Sequence, residues 1–550
     1  MPLKPAGRRR GFNEALQPIH PAMSSSSPPQ AFIVGGGIAA LSTAVLLIRD
    51  GGWRGNDIHM IEELPVSGGA LDGSGDAQHG FVTRGGRMWT DEAYVCLWDL
   101  LEAIPALDGS GDSVRRQVKR FNDEVRTDAH ARLIDREHRI LDAARLGFDL
   151  HDRAEILRLL VTPERLLGAR RIDDCFSAHF FGTHFWAMWR TTFAFQEWHS
   201  AVELKRYMLR FLQEFPRIHT LAGVRRTRLN QYESVVRPIE HWLRERGVRI
   251  EHGARIDDVA LAAHQGGQRV AALHGRRHGE PFSLVVGPDD LVFMTLGSMT
   301  ADSRCGDHEH PAELVRDRRD GAWTLWQNLA AKLPNLGRPE VFCGRVDESK
   351  WLSFSITLRN PALVKRIEEL SGNAPGTGAL MSFKDSAWLM SIVVPHAPHF
   401  AGQPEGTWTI WGYGLFVDRP GDYVNKPMAE CSGREILTEL VRQLNFTDIL
   451  DQLCQTSTVV PVMMPYITSE FEPRAPGDRP EVLPRGTCNL ALLGQYVEIP
   501  EDVVFTVEYS VRGAMHAVYG LLGIEREIPP VWHAIADPAT AFAALKTLAA

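Results

Sequence analysis

Ala31-Phe32-Ile33-Val34-Gly35-Gly36-Gly37-Ile38-Ala39-Ala40 is the stretch that decides the fold. Four apolar residues running into glycines read as a short, buried parallel strand. Leu41 to Asp50 reads as a helix, and Gly51-Gly52 stops it. Ile58-His59-Met60-Ile61 reads as a second strand, ending at Glu62-Glu63. The order is strand, glycine turn, helix, strand, acid. Gly35, Gly37 and Ala40 fit G-x-G-x-x-A. The first glycine makes a tight turn, the second lets backbone approach a pyrophosphate, and the small third residue lets helix pack on strand. The helix N-terminus attracts the anion. Glu62 stands 22 residues after Ala40, where a carboxylate hydrogen-bonds a ribose hydroxyl. A dinucleotide site built on Gly35, Gly36, Gly37, Ala40, Glu62 and Glu63 is expected.

Working outward, a second glycine cluster, Ser67-Gly68-Gly69-Ala70-Leu71-Asp72-Gly73, follows closely, then Arg84-Gly85-Gly86-Arg87. Leu291–Thr295 reads as a strand leading into Gly297-Ser298. Leu490–Leu493 reads as another, reaching Gly494-Gln495, with a helix over Val511–Leu522. Both chain ends closing around one cofactor is the arrangement of flavoproteins of the glutathione-reductase type, which favours FAD over NAD. Arg87 is expected as a cationic donor to the cofactor, with Gly69, Gly86, Ser298 and Gly494 around it. The fold class expected is α/β: a discontinuous Rossmann-like FAD-binding domain with an inserted α+β substrate domain and helical segments.

Elsewhere, 91–105, the aromatic-rich 150–245 and 434–450 read as helical, and 340–415 alternates apolar runs with turns as sheet does. At about 100–200 residues per domain the length implies roughly two to four units. The expected division is a disordered leader over 1–30, with FAD-binding parts at 31–150, 246–310 and 481–550. A helical catalytic region lies at 151–245 and a substrate-binding domain at 311–480.

Composition excludes several classes. A net charge of −8 leaves no global basic footprint, so no nucleic-acid partner is expected. Seven cysteines form no CxxC pair, which argues against a zinc ribbon, and no metal site is expected. An odd number in a chain of this size fits a reducing, cytoplasmic compartment. Ala31 to Ile48 is uncharged for eighteen residues, the minimum for a membrane span, but Gly35-Gly36-Gly37 is a poor helix interior. Arg8-Arg9-Arg10 is followed by serines and prolines with no apolar core, so the N-terminal segment does not read as a secretory signal.

Several long segments carry a specific likeness. They include Gly68-Gly69-Ala70-Leu71-Asp72-Gly73, Arg84-Gly85-Gly86-Arg87, Cys96-Leu97-Trp98-Asp99-Leu100-Leu101 and Asn230-Gln231-Tyr232-Glu233-Ser234. Gly297-Ser298-Met299-Thr300, Gly412-Tyr413-Gly414-Leu415-Phe416 and Met464-Pro465-Tyr466-Ile467-Thr468-Ser469 follow in order. Over roughly residues 31–535 the chain resembles the oleate hydratases, FAD-containing fatty acid hydratases once called myosin-cross-reactive antigens. The resemblance implies a hydro-lyase that adds water to an isolated cis double bond of an unsaturated fatty acid, with FAD required but no net redox change. It implies a fatty acid and water as partners, a monomer or homodimer, and, from the partitioning of free fatty acids, peripheral contact with a bilayer.

The chemistry needs an acid, a placed water, tolerance of positive charge on carbon, and an apolar tunnel. The resemblance assigns the proton donor to Tyr207, in Lys205-Arg206-Tyr207. A phenol, with pKa near about 10, keeps its proton at neutral pH. The family's second group is a glutamate directly after Arg-Gly-Gly-Arg; here Met88 occupies that position, and a thioether cannot move a proton at neutral pH. A branch of the family shares this methionine, so hydration need not be lost. The family's carboxylate grip, Thr-x-Asn-x-x-x-His, is here reduced: His399 matches, but Val393 and Pro395 replace the hydroxyl and amide. His396 is a possible substitute, and Gln231 matches a further substrate contact. Leu296 stands where the family commonly has asparagine. The grip is therefore expected to be thin and apolar. Alternatives left open are action on another unsaturated lipid, a flavin-dependent double-bond isomerase, an amine- or carotenoid-type oxidoreductase, and a non-catalytic FAD- and lipid-binding protein.

Overall fold

The computed structural model describes residues 28–86, 88–264 and 267–549; the expected leader, apart from its last three residues, and Arg87 lie outside them. A five-stranded, wholly parallel sheet is drawn from three distant parts of the chain. Its order is Leu490–Leu493, Leu291–Thr295, Ala31–Val34, Ile58–Glu62 and Arg249–His252. All four residues of Ala31–Val34 are buried, as an apolar run without alternation requires when both sheet faces are covered. The helix Ile38–Arg49 follows directly and buries Ile38 through Leu47, packing on the helix Val507–Leu522 from the far part of the chain. This is a Rossmann-like α/β arrangement in which sequence-distant segments, 31–62, 249–252, 291–295 and 490–522, meet. The antiparallel hairpins Ala254–His264, Gly267–Arg277 and Glu280–Val285, which the sequence reading missed, form a separate three-stranded sheet.

A second, seven-stranded sheet has the order Arg304–Cys305, Ser457–Met464, Trp351–Leu358, Trp408–Gly414, Met390–Val393, Met381–Phe383 and Leu133–Ile134. Its pairings are antiparallel except the last. Within the stretch expected as sheet, Ala362–Ser371 is a helix that buries Leu363, Val364 and Ile367. Those positions follow a 3.6-residue period, which the apolar-run reading overlooked.

The segment 150–245 is mostly short helices, as expected. Most of its aromatics are core: Phe180, Phe185, Trp186, Trp189 and Phe195 are each fully buried. Of that aromatic run, Phe193 reaches the wall of the chamber that holds Tyr207. Among the described residues no helix is long and apolar enough to cross a membrane. Ala31 to Ile48 is instead a strand, a turn and most of a helix.

Candidate active site

A cavity of about 290 Å³ opens at the carboxyl ends of the parallel strands. That is where ligands sit in open α/β sheets. Gly35, Gly36, Gly37, Glu62, Glu63, Gly69, Ser298 and Gly494 line it. Ala40 does not; it is fully buried one helical turn on, where the small side chain serves the packing of helix against sheet. The helix Ile38–Arg49 has no side-chain cap, so its first N–H groups are left for a ligand. Gly37 and Gly69 face each other, and a Cβ built on Gly69 would come within 3.2 Å of the Gly37 Cα.

Carboxyl groups gather at one side of this cavity. Burial lifts Glu62 to about 7, against the opposing N–H groups of Leu64 and Gly36. Glu62 accepts from the Leu64 N–H at 2.7 Å, and Glu63 from the Gly321 N–H at 2.9 Å. Asp320 is likewise pushed up to about 7, by burial first and Asp302 beside it. Its Oδ2 and the Thr295 hydroxyl have no hydrogen-bond partner among the described residues. Buried acceptors of this kind suit a ligand that brings hydroxyl donors. Arg84, to which the sequence reading assigned no role, also lines this cavity. It bonds Asp72 at 2.8 Å, the Gly69 carbonyl at 2.6 Å and the Thr300 carbonyl at 3.1 Å.

Two smaller chambers adjoin. One, of about 110 Å³, is lined by Met88, Gln231, His396 and His399 together with Trp351, Trp411 and Tyr413. The other, of about 80 Å³, holds Tyr207 with Met88, Tyr94, Phe193 and Glu214. Gly86, Met88, Thr192 and Phe505 line both. Gly86 thus lies where the two chambers meet and does not line the first cavity, although it was expected beside the cofactor. Phe505 lines all three cavities and holds φ 66, a left-handed conformation that a bulky side chain seldom adopts. Its N–H donates to Gln495 Oε1 at 2.6 Å, which holds the turn in place.

Tyr207 comes from the helix Ala201–Arg210 and is 1% exposed. The edges and faces of Phe193, Phe195 and Phe471 enclose it at 5.0–5.6 Å between ring centres. Its hydroxyl donates to the Val504 carbonyl at 2.5 Å. Burial pushes the phenol well above its usual range, so it stays protonated. Glu214 accepts from Arg217 at 2.6 and 2.9 Å and is raised above the usual carboxylate range by burial, Arg217 opposing. His399 is lowered to about 4 by burial, then by His396 and Arg226, and is therefore neutral. Its carbonyl accepts from Asn230, so the loop carrying it is pinned beside Gln231.

The site thus offers a neutral phenol, a buried carboxyl and a long apolar space, next to a cavity with the features of a dinucleotide cradle. The chain is 38% identical over 518 residues to an oleate hydratase of Streptococcus pyogenes serotype M49, covering 92% of this chain and 87% of that protein. It is 34% identical over 535 residues to a linoleate hydratase of Lactiplantibacillus plantarum, covering 90% and 94%. Among solved structures, a putrescine oxidase with putrescine bound shares the fold at a TM-score of 0.50 and 11% identity, over 90% of this chain and 99% of that one. The model of the MCRA family matches residues 29–519. With two relatives above 30% identity over most of their lengths, the chain belongs to the MCRA family.

Proposed function

We propose that this protein is a hydro-lyase that adds water across an isolated cis double bond of an unsaturated fatty acid, with FAD as its bound cofactor. The observation that carries the reading is the shared wall of Gly86, Met88, Thr192 and Phe505. The chamber holding a buried phenol and the chamber holding His399 abut at this wall, and on this reading one extended apolar ligand spans both. The oleate and linoleate hydratases among its relatives support the substrate class.

The first cavity fits FAD. The backbone at Gly35–Gly37 and Gly69 would take the pyrophosphate, Glu62 a ribose hydroxyl, and Ser298 and Gly494 the approach to the ring system. When bound, FAD supplies a polar ring system that offsets positive charge developing on carbon, with no net oxidation.

The chain's own groups do the rest. Tyr207 gives its proton to one alkene carbon. A water oxygen bonds the other carbon and loses a proton. Met88 cannot accept that proton. Glu214, which lines the same chamber as Tyr207, is the carboxylate assigned to accept it and to return it to the phenolate through water, which closes the balance. Burial makes a lasting phenolate costly, so transfer from Tyr207 and proton loss from water are coupled.

Glu214 must be ionised to act in this way. Because burial raises its pKa, the rate gained on deprotonation appears as pH rises through a value above the usual carboxylate range. The acid limb of the rate profile is therefore expected there, and Glu214→Gln is expected to remove that limb and slow turnover about tenfold or more. An unchanged profile in Glu214→Gln would remove Glu214 from the mechanism.

The test of the function is mass spectrometry of products from FAD-loaded protein given oleate in heavy-oxygen water. A product carrying one labelled oxygen is expected. Unaltered oleate, or a rearranged product of unchanged mass, would sink the hydratase reading.

A further inference from the structure

The grip on the ligand's head group looked thin in the sequence because the side chains of Val393 and Pro395 can donate no hydrogen bond. The structure places a cation there instead. Arg226 lines the same chamber as His396, His399 and Gln231. One of its terminal nitrogens donates to the Gly378 carbonyl at 2.5 Å. Its backbone is tied down as well, since its N–H donates to Asn122 Oδ1 at 3.0 Å and its carbonyl accepts from Asn122 Nδ2 at 2.7 Å.

Neither Arg226 nor the fully buried Arg132 beside it meets a carboxylate among the described residues. Arg132 donates only to the carbonyls of Ile218 and Leu380 and to the Thr192 hydroxyl. Burial lowers both guanidinium groups to about 10, with Tyr413 opposing and Arg226 adding to the shift at Arg132, so both remain cations at neutral pH. The protein does not treat its other buried arginines this way. Arg206 is paired with Glu164 and Glu498, Arg479 with Glu203, and Arg512 with Asp502 and Glu508. Two uncompensated charges beside a cavity are costly unless something brings the missing anion.

The other polar groups at this wall do not supply it. His399 is neutral, and the Nδ1 atoms of His396 and His399 have no partner among the described residues. Arg228 and Glu124, which act on His396, are both exposed. The wall opposite is Trp351, Trp411 and Tyr413, which carry no charge.

We propose that Arg226, with the charge of Arg132 behind it, is the anchor for the carboxylate of the ligand and sets the preference for free acids over neutral lipids. The proposal rests on the function above only for the identity of the anion as a fatty carboxylate. A guanidinium fork holds a carboxylate through two parallel hydrogen bonds, which an alcohol cannot return.

Two measurements test it. Equilibrium binding of stearate and stearyl alcohol to the FAD-loaded wild type needs neither turnover nor a variant. The acid is expected to bind at least about tenfold more tightly. Equal affinity, or no binding of stearate, overturns the anchor. Arg226→Gln and Arg226→Lys are then compared with wild type on oleate and oleyl alcohol, with flavin content and melting temperature as checks on folding. Arg226→Gln is expected to raise KM for oleate at least tenfold with little change in kcat, to leave oleyl alcohol unaffected, and to be partly rescued by Arg226→Lys. Loss of both substrates alike, or of neither, overturns it. If wild type binds stearate through Arg226 but labels no product, the anchor stands and the hydratase reading falls.

Discussion

Tyr207→Phe is expected to lower the rate of hydration by about 10²–10⁴-fold, the usual contribution of a positioned general acid. The variant loses one oxygen. The ring keeps its contacts with Phe193, Phe195 and Phe471, so the chamber keeps its shape. The Val504 carbonyl loses its donor, at a cost of about 1–3 kcal/mol if no water replaces it. That cost lowers the melting temperature modestly and does not explain a hundredfold loss of rate. Flavin content should be unchanged, because Tyr207 does not line the cavity proposed for FAD. KM should move little, because the phenol acts on the reacting carbon and not on the head group. A variant that hydrates oleate within about threefold of wild type would take the proton-donor role away from Tyr207. The pH profile adds a second check. Since burial holds the phenol protonated through neutral and mildly alkaline pH, any alkaline loss of activity below the usual tyrosine range must come from another group.

The parts of this protein that could be read from sequence are those fixed by local chemistry. The strand Ala31–Val34, the glycine turn and Glu62 lie within one short stretch, and each residue's reason for being there is local. Tyr207 and His399 were found through family likeness, since a tyrosine beside Lys205 and Arg206 has the look of a surface residue. It is buried because Lys205 reaches the Thr162 carbonyl and Arg206 is paired with Glu164 and Glu498, which turns both cations away from the chamber. What escaped notice depends on pairing across long distances. Arg226 sits in Val224-Arg225-Arg226-Thr227-Arg228, a run that looks solvated, and indeed Arg225 is paired with Asp91 and Arg228 is exposed. Only the folded chain reveals that the middle cation meets no acid among the described residues and lines the ligand chamber. Glu214 was hidden likewise: a glutamate before Phe215-Pro216 carries no motif, and its importance comes from sharing a chamber with Tyr207.

Gly37→Ala separates a cofactor cradle from a chance glycine turn. Gly37 has φ −74, which alanine adopts without strain, and an added Cβ would meet only the Gly69 Cα, at 3.8 Å. The flavin-free protein should therefore fold and melt as wild type does. The methyl group would nevertheless stand between two glycine turns, at the uncapped N-terminus of Ile38–Arg49, where a pyrophosphate must approach backbone N–H groups. Flavin affinity is expected to fall about 100-fold or more, roughly 2.7 kcal/mol, and hydration with it. Gly35→Ala is the contrasting variant. Gly35 has φ +107, and its Cβ would come within 2.8 Å of the Thr295 hydroxyl, so strain and collision act on the sheet itself. That variant should lose melting temperature even without flavin. Flavin titration followed by absorbance, together with thermal melts of flavin-free protein, distinguishes the two. If Gly37→Ala bound flavin as tightly as wild type, the pyrophosphate would have to lie elsewhere, and the reading of the glycine turn from which the fold was first argued would lose its functional half while keeping its structural one.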